Sequence, residues 1–231
     1  MTMKVTALSD IHGNLIDITE ACDLICICGD ISPLEIQKDY IKMTKWFFND
    51  FYKWILKLPC ERVILTPGNH DFWIEKFINT SKMYLWDKLE IIINDSTMVY
   101  NSTDDKWYNI YATPICKDFG KWPYMPGNEN LEKYYKKIPD DVDILITHDS
   151  PQIGKVGNIL EDTNSFYPFG RPAGNEVLAN IIFTKKPKYV LSGHIHSGCH
   201  DVNTYNNINL VNVSILDESY KIAYKPLTFE I

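Results

Sequence analysis

The stretch Val5-Thr6-Ala7-Leu8-Ser9-Asp10-Ile11-His12-Gly13-Asn14 decides how the rest of the chain is read. A short, largely apolar run with the composition of a strand ends abruptly in an Asp-x-His pair and a glycine. The same arrangement recurs along the chain. Residues 24–28 lead into Gly29-Asp30, residues 63–66 into Gly68-Asn69-His70-Asp71, residues 143–147 into His148-Asp149, and residues 189–192 into Gly193-His194-Ile195-His196. Five of the six histidines sit in these blocks. Histidines placed for packing have no reason to select the end of a strand four times over. In an α/β sheet, ligands gather outside the carboxyl ends of the strands. Neighbouring strands are only ~4.8 Å apart, so side chains from adjacent ends can share one ion.

The remaining apolar runs, at residues 91–94, 110–112 and 210–213, read as further strands, and residues 222–224 and 227–229, split by Lys225-Pro226, read as a terminal hairpin. Continuous apolar runs of this kind belong to strands buried on both faces. Ile36, Tyr40, Met43, Phe47, Phe51, Trp54 and Leu58 step by three and four, which predicts one amphipathic helix packed on a sheet. Residues 174–184 predict a second, ended by Lys185-Lys186-Pro187. Residues 107–130 and 152–174 read as irregular loops, rich in glycine, proline and aromatic residues. There is no internal repeat and no linker. The expectation is a single α/β domain over residues 1–231, a two-sheet β-sandwich flanked by helices.

Composition narrows the function. The formal net charge is −7, and Arg62 and Arg171 are the only arginines in a chain whose other cations are lysines. That argues against a footprint on duplex nucleic acid. It leaves room for an anionic substrate, because two divalent cations would add about four positive charges locally. No window reaches the ~18 apolar residues of a membrane span. The N-terminus enters a strand without signal-peptide architecture, so a cytoplasmic location is expected. The six cysteines are expected as free thiols, Cys26 and Cys28 alternating with Ile25 and Ile27 along a buried strand.

The candidate ligands are Asp10, His12, Asp30, Asn69, His148, His194 and His196, too many for one tetrahedral zinc. Mixed imidazole and carboxylate donors suit two cations of the manganese, iron, cobalt, nickel or zinc type, with manganese the first expectation. Asp30 is the expected bridge. Two such ions ~3.5–4 Å apart hold a phosphoryl group and generate hydroxide near neutral pH.

With the blocks in this order, the chain resembles the calcineurin-like metallophosphoesterases, over residues 9–196. The pattern is Asp-x-His, Gly-Asp, Gly-Asn-His-Asp, His, Gly-His-x-His. Thr147-His148-Asp149-Ser150-Pro151 and the aromatic stretch 111–124 look most like the small class III-type phosphodiesterase branch, which includes metallophosphoesterase-domain-containing proteins. The resemblance implies a helix-flanked two-sheet sandwich. It implies one metal on Asp10, His12, Asp30 and His196, and a second on Asp30, Asn69, His148 and His194. It further implies His70 as the group that protonates the leaving oxygen and Asp71 as the partner that orients it.

The expected reaction is attack of metal-bound hydroxide on a phosphodiester (or phosphomonoester), with a small nucleotide-like substrate. The alternatives are a single-strand nuclease and a catalytically weak binding scaffold. One departure stands out. Many relatives continue Gly-Asp-x-x-Asp-Arg, whereas this chain reads Gly29-Asp30-Ile31-Ser32-Pro33-Leu34. The phosphate-gripping arginine is missing there, and Arg171 and Asn14 are the expected substrate-binding residues in its place. Asn14 serves equally well as a residue that shapes its turn, and His200 reads as a surface histidine. Trp107, Tyr108, Tyr111, Phe119, Trp122 and Tyr124 read first as packing and second as a stacking surface for a base.

Overall fold

A computed structural model describes residues 2–85, 88–162 and 165–231. Two six-stranded sheets face each other. The first contains β1 (Lys4–Leu8), β2 (Leu24–Ile27), β3 (Arg62–Leu65), β4 (Lys82–Leu85) and β5 (Leu89–Ile92). The second contains β6 (Asp95–Asn101), β7 (Lys106–Thr113), β8 (Ile144–Thr147), β11 (Tyr189–Ser192), β12 (Asn203–Tyr205) and β13 (Ile208–Asn212), while β9 (Asn158–Ile159) and β10 (Arg171–Pro172) form a separate two-stranded ribbon. The last strand, β14 (Leu227–Glu230), returns to the first sheet, giving the orders β14-β1-β2-β3-β5-β4 and β12-β13-β11-β8-β7-β6.

Strand alternation builds the layers. Val5, Ala7, Leu24, Cys26 and Cys28 point between the sheets, where they meet Ile110, Ala112, Ile144, Ile146, Leu191 and Val211. Ile25, Ile27, Val63 and Leu65 point the other way, onto the helical rod over residues 40–57 and onto α3 (Phe72–Phe77). Leu145, Val190 and Leu210 do the same on the far side, against α4 (Leu131–Tyr135) and α5 (Glu176–Lys185). The result is the expected helix-flanked sandwich, with central strands buried on both faces as their apolar runs require. The six cysteines are unpaired, and Cys26 and Cys28 lie fully buried between the sheets. No helix among the described residues is long and apolar enough to cross a membrane.

Three sequence expectations change. The helix predicted from residue 36 begins at Tyr40, where the Asp39 side chain accepts from the Lys42 amide, and runs as α1 (Tyr40–Trp46), a π-turn over Phe47–Phe51 and α2 (Tyr52–Lys57). The π-turn keeps Phe47 and Phe51 on the buried side, and Phe47 stacks on Trp73 with ring centroids 4.6 Å apart. The terminal hairpin does not form. Residues 227–230 pair antiparallel with β1, Phe229 opposite Val5, because Phe229 there stacks on Tyr189 at 4.2 Å. The irregular stretch starts at Pro114 rather than residue 107, since β7 carries the chain to Thr113. Elements that the sequence did not announce are short or half-exposed: α3, the edge strand β4, and β6, whose inward positions are Thr97, Val99 and Asn101.

In both sheets the central strands run parallel, β1-β2-β3-β5 and β7-β8-β11-β13. A parallel bridge between Ser9 and Ser214 ties the carboxyl ends of the two sheets together. Replacing fully buried Phe47 with Ala removes its contacts with Trp73 and Phe51. It should lower the unfolding free energy by about 3–5 kcal/mol, read as a reduced urea midpoint at unchanged slope.

Candidate metal centre

Five of the parallel strands each deliver one block to the shared edge. Asp10 and His12 follow β1, Asp30 follows β2, Asn69 and His70 follow β3, His148 follows β8, and His194 and His196 follow β11. The chain turns there through the left-handed region, at Asp10 (φ 54°), His12 (φ 40°), Asp30 (φ 53°) and His194 (φ 70°). Such conformations cost energy at residues with a side chain and persist only when the surroundings enforce them. Here the enforcement is visible. The Asp10 amide donates to the Gly29 carbonyl and the His12 amide to the Asp30 carbonyl, both at 3.0 Å. Gly29 (φ 95°) leaves the space that the His148 ring occupies, since a Cβ on it would lie 2.5 Å from His148 Nδ1.

The two carboxylates organise the imidazoles. Asp30 Oδ2 lies 3.7 Å from His12 Nε2, 3.4 Å from His148 Nε2 and 4.0 Å from His70 Nε2. Asp10 Oδ1 lies 3.5 Å from His196 Nε2, while Oδ2 accepts from the His194 amide at 3.0 Å and from Ser214 Oγ at 2.6 Å. Asn69 Oδ1 is 2.9 Å from His148 Nε2. The opposite ring nitrogens are anchored on carbonyls: His148 Nδ1 on Cys28 at 2.8 Å, His196 Nδ1 on Asp217 at 2.9 Å and His12 Nδ1 more loosely on Ser32 at 3.4 Å. Ligating histidines show this pattern, in which the far nitrogen is tied so that Nε2 faces inward.

Two sets of donors fall within 4.8 Å of one another: Asp10, His12 and His196, and Asp10, Asp30 and His148. His12 Nε2 is buried without a hydrogen-bond partner. A buried imidazole nitrogen without a hydrogen-bond partner, facing a carboxylate at non-bonding distance, fits a metal-ligating role. His194 comes to the same edge, its ring 5.1 Å from that of His148.

Burial alone would raise both carboxyls. The hydrogen bond and charge of His196, with His148 and His12, instead hold Asp10 well below the usual range, and His148, His12 and His70 hold Asp30 low. The partners move oppositely. Against the cost of burial, Asp30 raises His148 to about 10, and Asp10 raises His196 to about 9. Burial pushes His12, His70 and His194 down.

Two expected site residues sit elsewhere or act differently. Asp71 does not orient His70. It is buried and accepts from Gly68 N at 2.7 Å, Ser32 N at 3.0 Å, Ser32 Oγ at 2.7 Å and Ile31 N at 3.1 Å, so it clamps the Asp30 turn to the Asn69 turn. The partner of His70 Nδ1 is Gln37 Oε1, at 2.7 Å. The Gln37 amide is oriented by Nε2 donating to the Leu34 carbonyl at 3.1 Å, which makes Nδ1 of His70 the donor and leaves its Nε2 facing Asp30. Nothing in the local sequence marks Gln37, which is brought to His70 from 33 residues away.

Arg171 lies on the exposed ribbon, its Nε 2.5 Å from Asp162, and makes no contact with the cluster among the described residues. Asn14 closes its turn by donating to the Ile11 carbonyl at 2.8 Å and also lines the cavity beside His12. Asp149 accepts from the Lys117 amide and from Asn175 Nδ2 and so joins the loops that carry them. His200 is half-buried, stacked on Tyr224 and 2.9 Å from the His196 carbonyl. The aromatic loop divides. Tyr111 is core, whereas Trp122 reaches the His70 ring at 4.6 Å and Phe119 the His194 ring at 5.4 Å. A third ring at the edge, Tyr220, carried no signal in the sequence and contacts both His12 and His196.

The raised His148 and His196 hold protons at neutral pH in the metal-free protein, and a ligating imidazole must be neutral. Loading the site with Mn²⁺ at pH 7.5 should therefore release roughly two protons. Apparent affinity should climb as pH rises toward their raised values. Calorimetric titration in buffers of differing ionisation enthalpy reads the proton count directly, and a count of zero contradicts the assignment.

The chain is similar to known proteins along most of its length. The Calcineurin-like phosphoesterase family matches residues 3–198. The human Metallophosphoesterase domain-containing protein 1 is 23% identical over 246 residues, covering 99% of this chain and 71% of that protein. A Caenorhabditis elegans UPF0046 protein, C25E10.12, is 27% identical over 244 residues, covering 99% of this chain and 81% of its own length. Among solved structures, TT1561 of Thermus thermophilus superposes with a TM-score of 0.53 at 15% identity, covering 100% of this chain and 99% of the other. The phosphopantetheinyl hydrolase of Mycobacterium tuberculosis superposes with a TM-score of 0.55 at 12% identity, covering 95% and 91%. These last two likenesses are of fold. The chain belongs to the calcineurin-like phosphoesterase family, whose chemistry is metal-dependent hydrolysis of phosphoric esters.

Proposed function

We propose that the chain is a two-metal phosphodiesterase acting on a small, nucleotide-like diester. The observation that carries this reading is that Asp30 Oδ2 reaches one imidazole from each of the two donor sets, His12 Nε2 at 3.7 Å and His148 Nε2 at 3.4 Å, while Asp10 belongs to both sets. One cation would be held by Asp10, His12, Asp30 and His196, and a second by Asp30, Asn69, His148 and His194, with manganese the first to test. Divalent cations there supply Lewis-acid neutralisation of the phosphoryl oxygens and a lowered pKa for bound water.

The protein's own contribution centres on His70. Its Nε2 faces the cluster, its Nδ1 proton is committed to Gln37, and burial lowers its pKa, so a proton on Nε2 is readily surrendered to a leaving alkoxide. The charge pattern supports a diester over a monoester. Among the described residues, no arginine or lysine pairs with or hydrogen-bonds to the cluster residues. The one negative charge of a diester demands less compensation than the nearly two of a monoester.

Mn²⁺-loaded protein should hydrolyse bis-p-nitrophenyl phosphate faster than p-nitrophenyl phosphate, and chelator should abolish both activities. Replacing His70 with Ala should lower kcat by about 10²–10⁴-fold while metal content stays constant. Gln37→Leu, which removes the acceptor but keeps the bulk, should lower kcat with little change in KM, most strongly for substrates with alkyl leaving groups. Undiminished turnover in His70→Ala would remove this residue from the mechanism.

A further inference from the structure

Beside His12 the cluster opens into a cavity of about 520 Å³, within the ~300–1,000 Å³ of small-molecule sites. Leu34 and Ile36 from the loop before α1, Trp46 of α1 and Tyr220 supply the apolar part of its wall, and His12, Asn14 and Glu35 the polar part. Tyr220 is built into this place. Its backbone is left-handed, with φ 58°. Its amide donates to the Asp217 carbonyl at 2.9 Å, the same carbonyl that anchors His196 Nδ1. The amides of Ser219 and Lys221 both donate to Asp217 Oδ1 at 2.9 Å, which closes the loop. The strain of a left-handed tyrosine is thus held by a loop tied to a candidate ligand. It brings the ring edge-on to His12 at 5.1 Å and His196 at 5.0 Å while 43% of the residue stays exposed.

The cavity's charge is as informative as its shape. Among the described residues that line it, Glu35 is the one with a fixed charge, and no lysine or arginine takes part. The Glu35 carboxylate disfavours an anionic substituent placed next to it, and the aromatic and aliphatic side chains favour a flat organic group. The cavity shares His12 with the cluster, so a group occupying it is covalently within reach of a phosphorus held there.

We propose that this cavity is the subsite for the second, non-leaving ester group of the substrate, and that Tyr220 and Glu35 select phosphodiesters whose second group is flat and either uncharged or cationic. This rests on the phosphodiesterase reading of the metal centre and names the substrate class that reading leaves open. Monoesters and diesters with a further phosphate or carboxylate on that side are disfavoured, because the first leave the apolar walls empty and the second bring an anion to Glu35.

The test keeps the leaving group constant. Phenyl p-nitrophenyl phosphate and methyl p-nitrophenyl phosphate release the same phenolate and differ in the second group alone. Burial of the ring predicts a kcat/KM preference for the phenyl ester of roughly ten- to a hundredfold. Tyr220→Ala should collapse that ratio toward one, mainly through KM. Tyr220→Phe, which keeps the ring, should preserve it. Glu35→Lys should raise kcat/KM for the p-carboxyphenyl analogue relative to the phenyl ester.

Calorimetric binding of diphenyl phosphate against dimethyl phosphate to the Mn²⁺-loaded protein gives a second reading that needs no turnover. The expected result is tighter binding of the diphenyl ester, lost in Tyr220→Ala. Equal handling of phenyl and methyl groups by wild type, or ratios untouched by Tyr220→Ala and Glu35→Lys, overturns the subsite. Absence of any metal-dependent cleavage together with an intact diphenyl preference in binding would instead overturn the phosphodiesterase reading and leave the subsite standing.

Discussion

Two carboxylates, Asp10 and Asp30, are buried to 0% and 2% exposure at the seam between the sheets. Ionised carboxylates in such a place are costly unless positive charge is close by. Among the described residues, no lysine or arginine supplies that charge to either of them; the neighbours are imidazoles, which carry a proton or offer a lone pair to a cation. Much of the structure serves that requirement. The parallel order of the inner strands brings five strand ends to one edge, and the Ser9–Ser214 bridge joins the two edges into one. The helices outside the sheets supply the packing that keeps those ends in place.

The site is also where the backbone departs from what its residues prefer. Asp10, His12, Asp30, His194 and Tyr220 all have positive φ without being glycine. Each is held by hydrogen bonds within the loops around the site: the Gly29 and Asp30 carbonyls fix the Asp10 turn, and the Asp217 carbonyl fixes both His196 and Tyr220. Asp71 acts in the same sense. By gathering amides from Gly68, Ile31 and Ser32 it locks the turn that carries Asp30 against the turn that carries Asn69. Strain of this kind is concentrated where side chains must be presented at fixed positions rather than where stability is greatest.

The core strands and the ligand blocks were legible because each is written locally. A run such as residues 24–28 shows a doubly buried strand by its lack of polar residues, and a motif such as Gly-His-x-His lies within four positions. The failures have an equally local cause. Residues 227–229 read as a hairpin with their sequence neighbours, yet their partner is β1, more than 200 residues away in sequence, where Phe229 stacks on Tyr189. Strand β6 hid behind a mixed inward face of Thr97, Val99 and Asn101. Arg171 was attractive as a rare cation in a long loop, but a surface ribbon pairs it with Asp162.

The order of the blocks and the residue types within them determined the family, the chemistry and the identity of the candidate ligands, because metal-binding donors and the glycines that let strand ends turn are properties of single short segments. Which groups stand behind those ligands was decided by the tertiary structure alone. Sequence adjacency pointed to Asp71 as the partner of His70, while the fold spends Asp71 on three backbone amides and a hydroxyl and brings Gln37 to the imidazole instead. Tyr220 and Glu35 meet beside His12 from segments about 185 residues apart in sequence. A contact of that separation leaves no periodicity or spacing to read; it exists because the chain's return after β13 crosses the same edge that β1 and β2 open.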